Sequence, residues 1–369
     1  MIANNRKITK SQNAAMIIST VIGVGILSLP SNLAEIVGAD GWVTLLITGL
    51  ATIIVLFVMT KLVLLYKDYT LVEMGRELVG RFLGDIVSLV YLTYTIAFIS
   101  VVVRVFAEVV KMFLLNNTPL EVIIITMLLT TAYLTRKGIE CIARIIQVII
   151  PLVIIPIFVL WISLFPDLDI SNILPVFQVD FMTIIKGVPS TFFSFVGFEI
   201  IYFTTIYVKN PEGSVKHNLI ALLSILGIYI LAFLVSIFRF GKEETIHLIW
   251  PTLSLMKTIN LPGAFIENVE GVVMAFWVLM VLGSLVTQFY CGAQVLSRVT
   301  GSKEFDFFVL PMILFIYFIA LLPDNIAEVY DYIKLIDKYL SFFLLIVVPF
   351  LYYGIALIKK KKKGSAESE

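Results

Sequence analysis

The chain has 369 residues, 60% of them hydrophobic and only 14% charged, with a formal net charge of +1 and a mean hydropathy of +1.02. A soluble domain carries about 25% charged residues, so the composition excludes a water-soluble globule. The near-neutral charge and the lack of a basic surface interleaved with aromatics exclude a nucleic-acid partner, and Cys141 and Cys291, without CxxC spacing, indicate neither a disulfide framework nor a metal site.

A membrane-spanning helix needs about 20 mostly apolar residues, because only a helix satisfies its own backbone groups across hydrocarbon about 30 Å thick. Ten segments meet this condition, near Gln12–Ile36, Trp42–Tyr66, Phe82–Leu115, Leu120–Leu134, Cys141–Phe165, Met182–Val208, Leu219–Phe240, Val269–Val299, Phe305–Leu322 and Tyr339–Ile358. The first is too long for a signal peptide, carries Gly23, Gly25 and Pro30, and lacks a small-residue cleavage site. With ten spans, Arg6, Lys7, Lys10, Lys61, Lys67, Arg76, Arg81, Arg136, Lys137, Arg144, Lys209, Lys216, Arg298, Lys303 and Lys359 to Lys363 fall on one side, while the opposite loops are acidic. The positive-inside rule then makes both termini cytoplasmic. The terminal lysine run reads as an anchor on anionic membrane lipid.

Between spans, Thr70 to Asp85 is predicted to be an amphipathic interfacial helix with Leu71, Met74, Leu78 and Phe82 on its apolar face. Glu243 to Asn268 is too apolar for a free loop and is expected to dock on the bundle as a lid.

The whole chain, 1–369, reads as a single all-α integral membrane domain of two five-helix halves, about 12–165 and 182–358, with a basic tail at 359–369. An odd number of spans per half inverts the second copy, and inverted repeats of this kind hold solutes at interrupted helices near mid-membrane. Each half has a candidate interruption in its first helix. In the first it is Ile22-Gly23-Val24-Gly25-Ile26-Leu27, ahead of Pro30, and in the sixth it is Phe192, Ser194, Phe195, Gly197 and Phe198, after Pro189. Taken alone, the glycines could equally permit close helix packing. Together, in corresponding places, they predict a ligand site.

Glu199 sits near the centre of its span, where an ionisable group costs on the order of 3 kcal/mol. It is expected to be a ligand-amine partner or a proton carrier, or else to satisfy a helix end. Tyr94 and, on the eighth helix, Ser284, Thr287 and Gln288 are further polar candidates. Arg104 and Glu108, four apart on the third helix, read as an outward-reaching interface pair. No GxxxxGK[ST] or HExxH is present, and the two histidines, His217 and His247, lie in loops on opposite sides. Nothing therefore points to an enzyme, a cofactor or a metal.

Several ordered landmarks carry a resemblance. These are Ile8-Thr9 to Gln12 followed by Ile22 to Leu27 and Pro30; Thr118-Pro119, then Gly138-Ile139-Glu140 and Ala143-Arg144; and Trp250-Pro251-Thr252, then Phe265-Ile266-Glu267, Glu270 and Trp277. Over nearly its whole length the chain resembles the B subunits of nutrient germinant receptors of endospore-forming bacteria, within the amino acid/polyamine/organocation superfamily. The family often has Arg beside Glu before its eighth helix, where this chain has Glu267-Asn268.

The resemblance implies a LeuT-like 5+5 bundle with helices 1 and 6 broken, placed in the spore inner membrane with receptor A and C subunits as partners. It also implies a small nutrient ligand, commonly an L-amino acid, that triggers germination. The backbone of Gly23 to Leu27 would meet the ligand's carboxylate or amine, and Phe192 to Phe198 would form the facing wall. The alternative is a self-sufficient permease coupled to protons or sodium.

Overall fold

The computed structural model describes residues 7–258 and 269–366. Arg6, the landmarks Phe265 to Glu267, Asn268, and the side chains of Glu270 and Lys361 to Lys363 lie outside the described residues. Helix occupies each of the ten segments expected from the sequence, and among the described residues six helical stretches are long and apolar enough to cross a membrane.

The first segment is broken into α1 (Lys10–Ile22) and α2 (Gly25–Val37). α1 starts where the chain can satisfy its free N–H groups. Thr9 accepts from the Gln12 backbone at 3.1 Å while the Gln12 side chain accepts from the Thr9 N–H at 2.8 Å, a reciprocal capping box. The preceding Ile8 is fully buried and pairs with the chain after the second break, its N–H donating to Tyr207 O at 2.8 Å and its carbonyl accepting from Lys209 N at 2.9 Å. The landmark Ile8-Thr9 to Gln12 thus pins the start of one broken helix to the end of the other.

α3 (Gly41–Leu65) is followed by the short α4 (Leu71–Val79), capped by Thr70 and Glu73, and by α5 (Arg81–Phe113). The expected single amphipathic helix from Thr70 to Asp85 does not form. Gly80, at φ +91°, ends α4 and resets the helical phase. Leu71, Met74 and Leu78 are buried as expected, but Phe82 belongs to α5 and is 78% exposed. A left-handed glycine between the two helices therefore separates residues that one continuous period would have put on one face.

α6 (Leu120–Thr135) and α7 (Ile139–Ser163) complete the first half. α7 turns Val148, Ile155, Val159 and Ile162 outward. Such a row of exposed apolar side chains is what a helix facing lipid shows.

The sixth segment is broken as well. α8 (Phe181–Phe195) ends, Gly197 turns the chain at φ +125°, and a 3-10 turn over Phe198–Ile200 leads to the single turn α9 (Ile201–Thr204). α10 (Ser214–His247) runs further than expected, kinking at Gly241. The segment after it is partly helical: α11 (Pro251–Lys257) buries Pro251, Thr252, Leu253, Leu255 and Met256.

α12 (Val269–Thr300) and α13 (Asp306–Ala320) follow. The last segment starts earlier than expected, with α14 (Ile326–Ile336), and reaches α15 (Val348–Ala366) through two π-helical stretches, Asp337–Ser341 and Phe343–Val347.

Arg104 corrects another expectation. It is only 5% exposed, and its guanidinium donates inward to Glu108 at 3.0 Å and to the Ala320 carbonyl at 3.0 Å, near the end of α13. The carbonyl end of a helix carries partial negative charge, so it attracts the cation into the bundle instead of releasing it to the interface.

Candidate functional site

The two breaks meet. Where α1 stops, the carbonyls of Thr20, Val21 and Gly23 lose the N–H partners that a continuous helix would supply. Side chains from other helices replace them. Ser284 on α12 donates to Thr20 O at 3.2 Å, the Tyr229 hydroxyl on α10 lies 2.9 Å from Val21 O and 2.6 Å from Ser194 O, and Trp277 Nε1 donates to Gly23 O at 3.0 Å.

Pro30 creates a further orphan, because a proline has no N–H to offer the carbonyl four residues earlier. That carbonyl belongs to Ile26, and the Thr252 hydroxyl on α11 takes it at 2.8 Å. The landmark residues Trp277 and Thr252 therefore serve the backbone of the first broken helix. Sequence reading had placed them as landmarks and not as site residues.

Glycine lets the helices approach closely at the crossing. A Cβ on Gly25 would lie 3.1 Å from Ser194 Cα and from Ser194 O, and one on Gly23 would lie 3.1 Å from Ser284 Oγ. Gly197 has a left-handed φ, and a Cβ there would lie 3.0 Å from the Thr20 carbonyl. Ser194 Oγ donates to Gly25 O at 3.2 Å, so the two breaks are bonded as well as packed.

A small central cavity, about 10 Å³, lies at this crossing, lined by Thr20, Val21, Val24, Gly25, Phe98, Val102, Val196 and Ser284. Such a volume holds at most about one water, so the conformation is a closed one. On the other side of the first break lies an apolar cavity of about 50 Å³, whose lining includes Ile22, Ile26, Leu27, Phe158, Trp161, Met256 and Trp277. The expected run Ile22 to Leu27 is therefore split, with Val24 and Gly25 facing one cavity and Ile22, Ile26 and Leu27 the other. Phe192, Phe195 and Phe198 are buried but line neither cavity; Phe195 packs edge-on against Tyr229 at 5.1 Å between ring centres.

Glu199 is fully buried and fully partnered. Oε1 accepts from the Tyr94 hydroxyl at 2.8 Å and from Gln288 Nε2 at 2.7 Å, and Oε2 accepts from Gly197 N at 2.8 Å. Three donors converging on a carboxylate offset much of its desolvation. The structure therefore joins Tyr94, Gln288 and Glu199 into one network at the second break. Thr287 is buried but bonds its own helix, at Gly283 O, 2.9 Å away.

Thr20, Phe98, Val102, Val196 and Tyr229 were not singled out from the sequence. Phe98 and Val102 follow Tyr94 at four-residue steps on one face of α5, a spacing that could have marked them.

The chain matches the model of a family described as spore germination protein over residues 7–329. It belongs to that family. Spore germination protein YndE of Bacillus subtilis (strain 168) is 29% identical over 89% of this chain and 91% of its own length, and spore germination protein A2 of the same organism is 28% identical over 96% and 97%. Among solved structures, that of MhsT in complex with L-phenylalanine superposes with a TM-score of 0.67 at 12% identity, covering 95% of this chain and 96% of MhsT. The chain is thus a multi-pass membrane protein with a LeuT-like fold, in a family of permease and receptor proteins and not of enzymes.

Proposed function

We propose that this spore germination protein is the ligand-binding B subunit of a nutrient germinant receptor, acting in the spore inner membrane together with A and C subunits. Its ligand is a small L-amino acid held between the two helix breaks. The observation that carries this reading is the bonded crossing of Gly25 and Ser194 beside the central cavity. There, α2 begins with its positive dipole end, the arrangement that attracts a carboxylate. MhsT, which shares the fold, is described in complex with L-phenylalanine, and this supports an amino acid as the ligand class.

Because the central cavity is closed in this conformation, ligand entry requires the breaks to separate. A ligand that binds the separated state better shifts the population towards it, and that shift is the signal passed to the partner subunits.

The test is a panel of labelled L-amino acids, measured for equilibrium binding to the purified chain and for uptake into proteoliposomes holding it. Saturable binding without uptake supports a receptor subunit. Binding with saturable uptake makes the chain a permease, and no binding by any member of the panel removes the amino-acid reading.

A further inference from the structure

The last membrane segment contains a half-buried carboxyl group that the ligand site does not use. Asp337 opens the first π-helical stretch, in the helical run Ile326–Lys360 and just ahead of its uncharged part from Tyr339. π-helical turns inside membrane helices are uncommon and recur at functional sites. Asp337 Oδ1 is shielded from solvent and forms no well-placed hydrogen bond; Ser341, fully buried one turn further on, is the hydroxyl that faces the carboxyl.

Among the described residues no cation pairs with the group. Lys334 pairs with Asp331 at 3.2 Å, and Lys338 sits over the Tyr339 ring at 5.2 Å. α8 and α5 pack against this stretch. The one basic residue of α8, Lys186, is exposed and forms no ion pair with Asp337 among the described residues. From α5 the facing titratable group is Tyr94, which lies within electrostatic reach of Asp337 while its hydroxyl donates to Glu199. Tyr94 thus stands between two carboxyl groups.

We infer that Asp337 is a proton-binding site, a neutral carboxylic acid in this closed conformation that exchanges its proton with water when the π-helical stretch opens. A carboxylate oxygen shielded from solvent without a cation is disfavoured, whereas the neutral acid removes the charge. Protonation gives the carboxyl an O–H of its own, beside the hydroxyl of Ser341. The step is a proton transfer alone: an oxygen of the carboxylate takes H⁺ from hydronium, forming an O–H bond and leaving water, and release is the reverse. The inference does not depend on which ligand occupies the helix breaks.

The experiment is infrared spectroscopy of the full chain in lipid nanodiscs over a pH series, following the C=O stretch of protonated carboxylic acid. An exposed aspartate ionises near pH 3.9. The expected result is a carboxylic-acid band that persists to at least about pH 6, two units above that value, disappears in Asp337→Asn and survives in Glu199→Gln. Asn has the shape of the neutral acid, so the variant is expected to fold. Ser341→Ala should shift the band's frequency without abolishing it. No band above the range of exposed carboxyls, a band unchanged in Asp337→Asn, or a band lost only in Glu199→Gln would each overturn the assignment.

Discussion

Gly25 and Ser194 touch across the two broken helices with backbone against backbone: a Cβ at Gly25 would meet Ser194 Cα and O at 3.1 Å, and Ser194 Oγ donates to Gly25 O at 3.2 Å. Because the neighbour is main chain, it cannot swing aside as a flexible side chain could. Overpacking of this kind typically costs about 1–3 kcal/mol, a factor of about 5 to 150 in affinity where the added side chain fills the ligand's place between the breaks. Gly25→Leu is therefore expected to weaken amino-acid binding by at least about fivefold, with Gly25→Ala intermediate, while both variants still insert into the membrane. Equilibrium binding on purified variants checks this, and unchanged affinity in Gly25→Leu would remove the crossing from the site.

Glu199 receives three hydrogen bonds, from Tyr94, Gln288 and Gly197, and no solvent. Glu199→Leu removes both acceptor oxygens, so Tyr94, Gln288 and Gly197 all lose their partner in a buried site. Each buried group left unsatisfied costs about 1–3 kcal/mol, whereas Tyr94→Phe deletes a single hydrogen bond and leaves no donor stranded. Thermal unfolding in detergent should therefore rank wild type above Tyr94→Phe and Tyr94→Phe above Glu199→Leu. Equal melting of all three would show that the network contributes nothing to stability.

Those two sites also show how far the sequence could be read. The breaks were legible because their chemistry is local: Gly23, Gly25 and Gly197 sit at the turns, and a glycine at φ +125° marks its own place in the chain. The side chains that complete the breaks were not legible. Tyr229, Trp277 and Thr252 come from α10, α12 and α11, and only tertiary packing brings them to the orphan carbonyls. Arg104 was misplaced for the same reason, since its acceptor at Ala320 is 216 residues away. Phe82 was misplaced by phase, because one left-handed glycine divides the helical period on which its assignment rested. Asp337 was missed because the π-helical stretches extend the tenth segment beyond the apolar run by which it was first bounded.

Pro30 and Thr252 are coupled through one atom. The proline deprives the Ile26 carbonyl of its helical partner, and the Thr252 hydroxyl replaces that partner at 2.8 Å. Thr252→Val should cost about 1–3 kcal/mol by leaving a buried carbonyl unsatisfied. In a Pro30→Ala background residue 30 regains an N–H, so the same substitution should cost less. A double-mutant cycle on unfolding is expected to give a coupling of at least about 0.5 kcal/mol; additive effects would mean that the hydroxyl does not replace the missing helical bond.

Glu73 ties α4 to the end of α12, accepting from Arg298 at 2.7 Å and from Thr70. Burial alone would raise its carboxyl, but the hydrogen bonds from Thr70 and Arg298 outweigh burial and hold it below the ordinary glutamate range. A carboxyl lowered in the folded state contributes stability that is fully present above its unfolded value, near pH 4.3. That contribution is lost as pH falls through the lower folded value. Docking of α4 should therefore be insensitive to pH from neutrality down to about pH 5 and weaken below about pH 4. Amide hydrogen exchange over Leu71–Val79, corrected for its intrinsic pH dependence, should show protection falling in that acid range for wild type. In Glu73→Gln protection should already be lower at neutral pH, with little further loss on acidification. Because Gln keeps the cap to Thr70 but cannot form the ion pair, an acid response identical to wild type would assign the docking of α4 to another carboxyl, such as Asp85, which pairs with Arg76 of α4 at 2.6 Å.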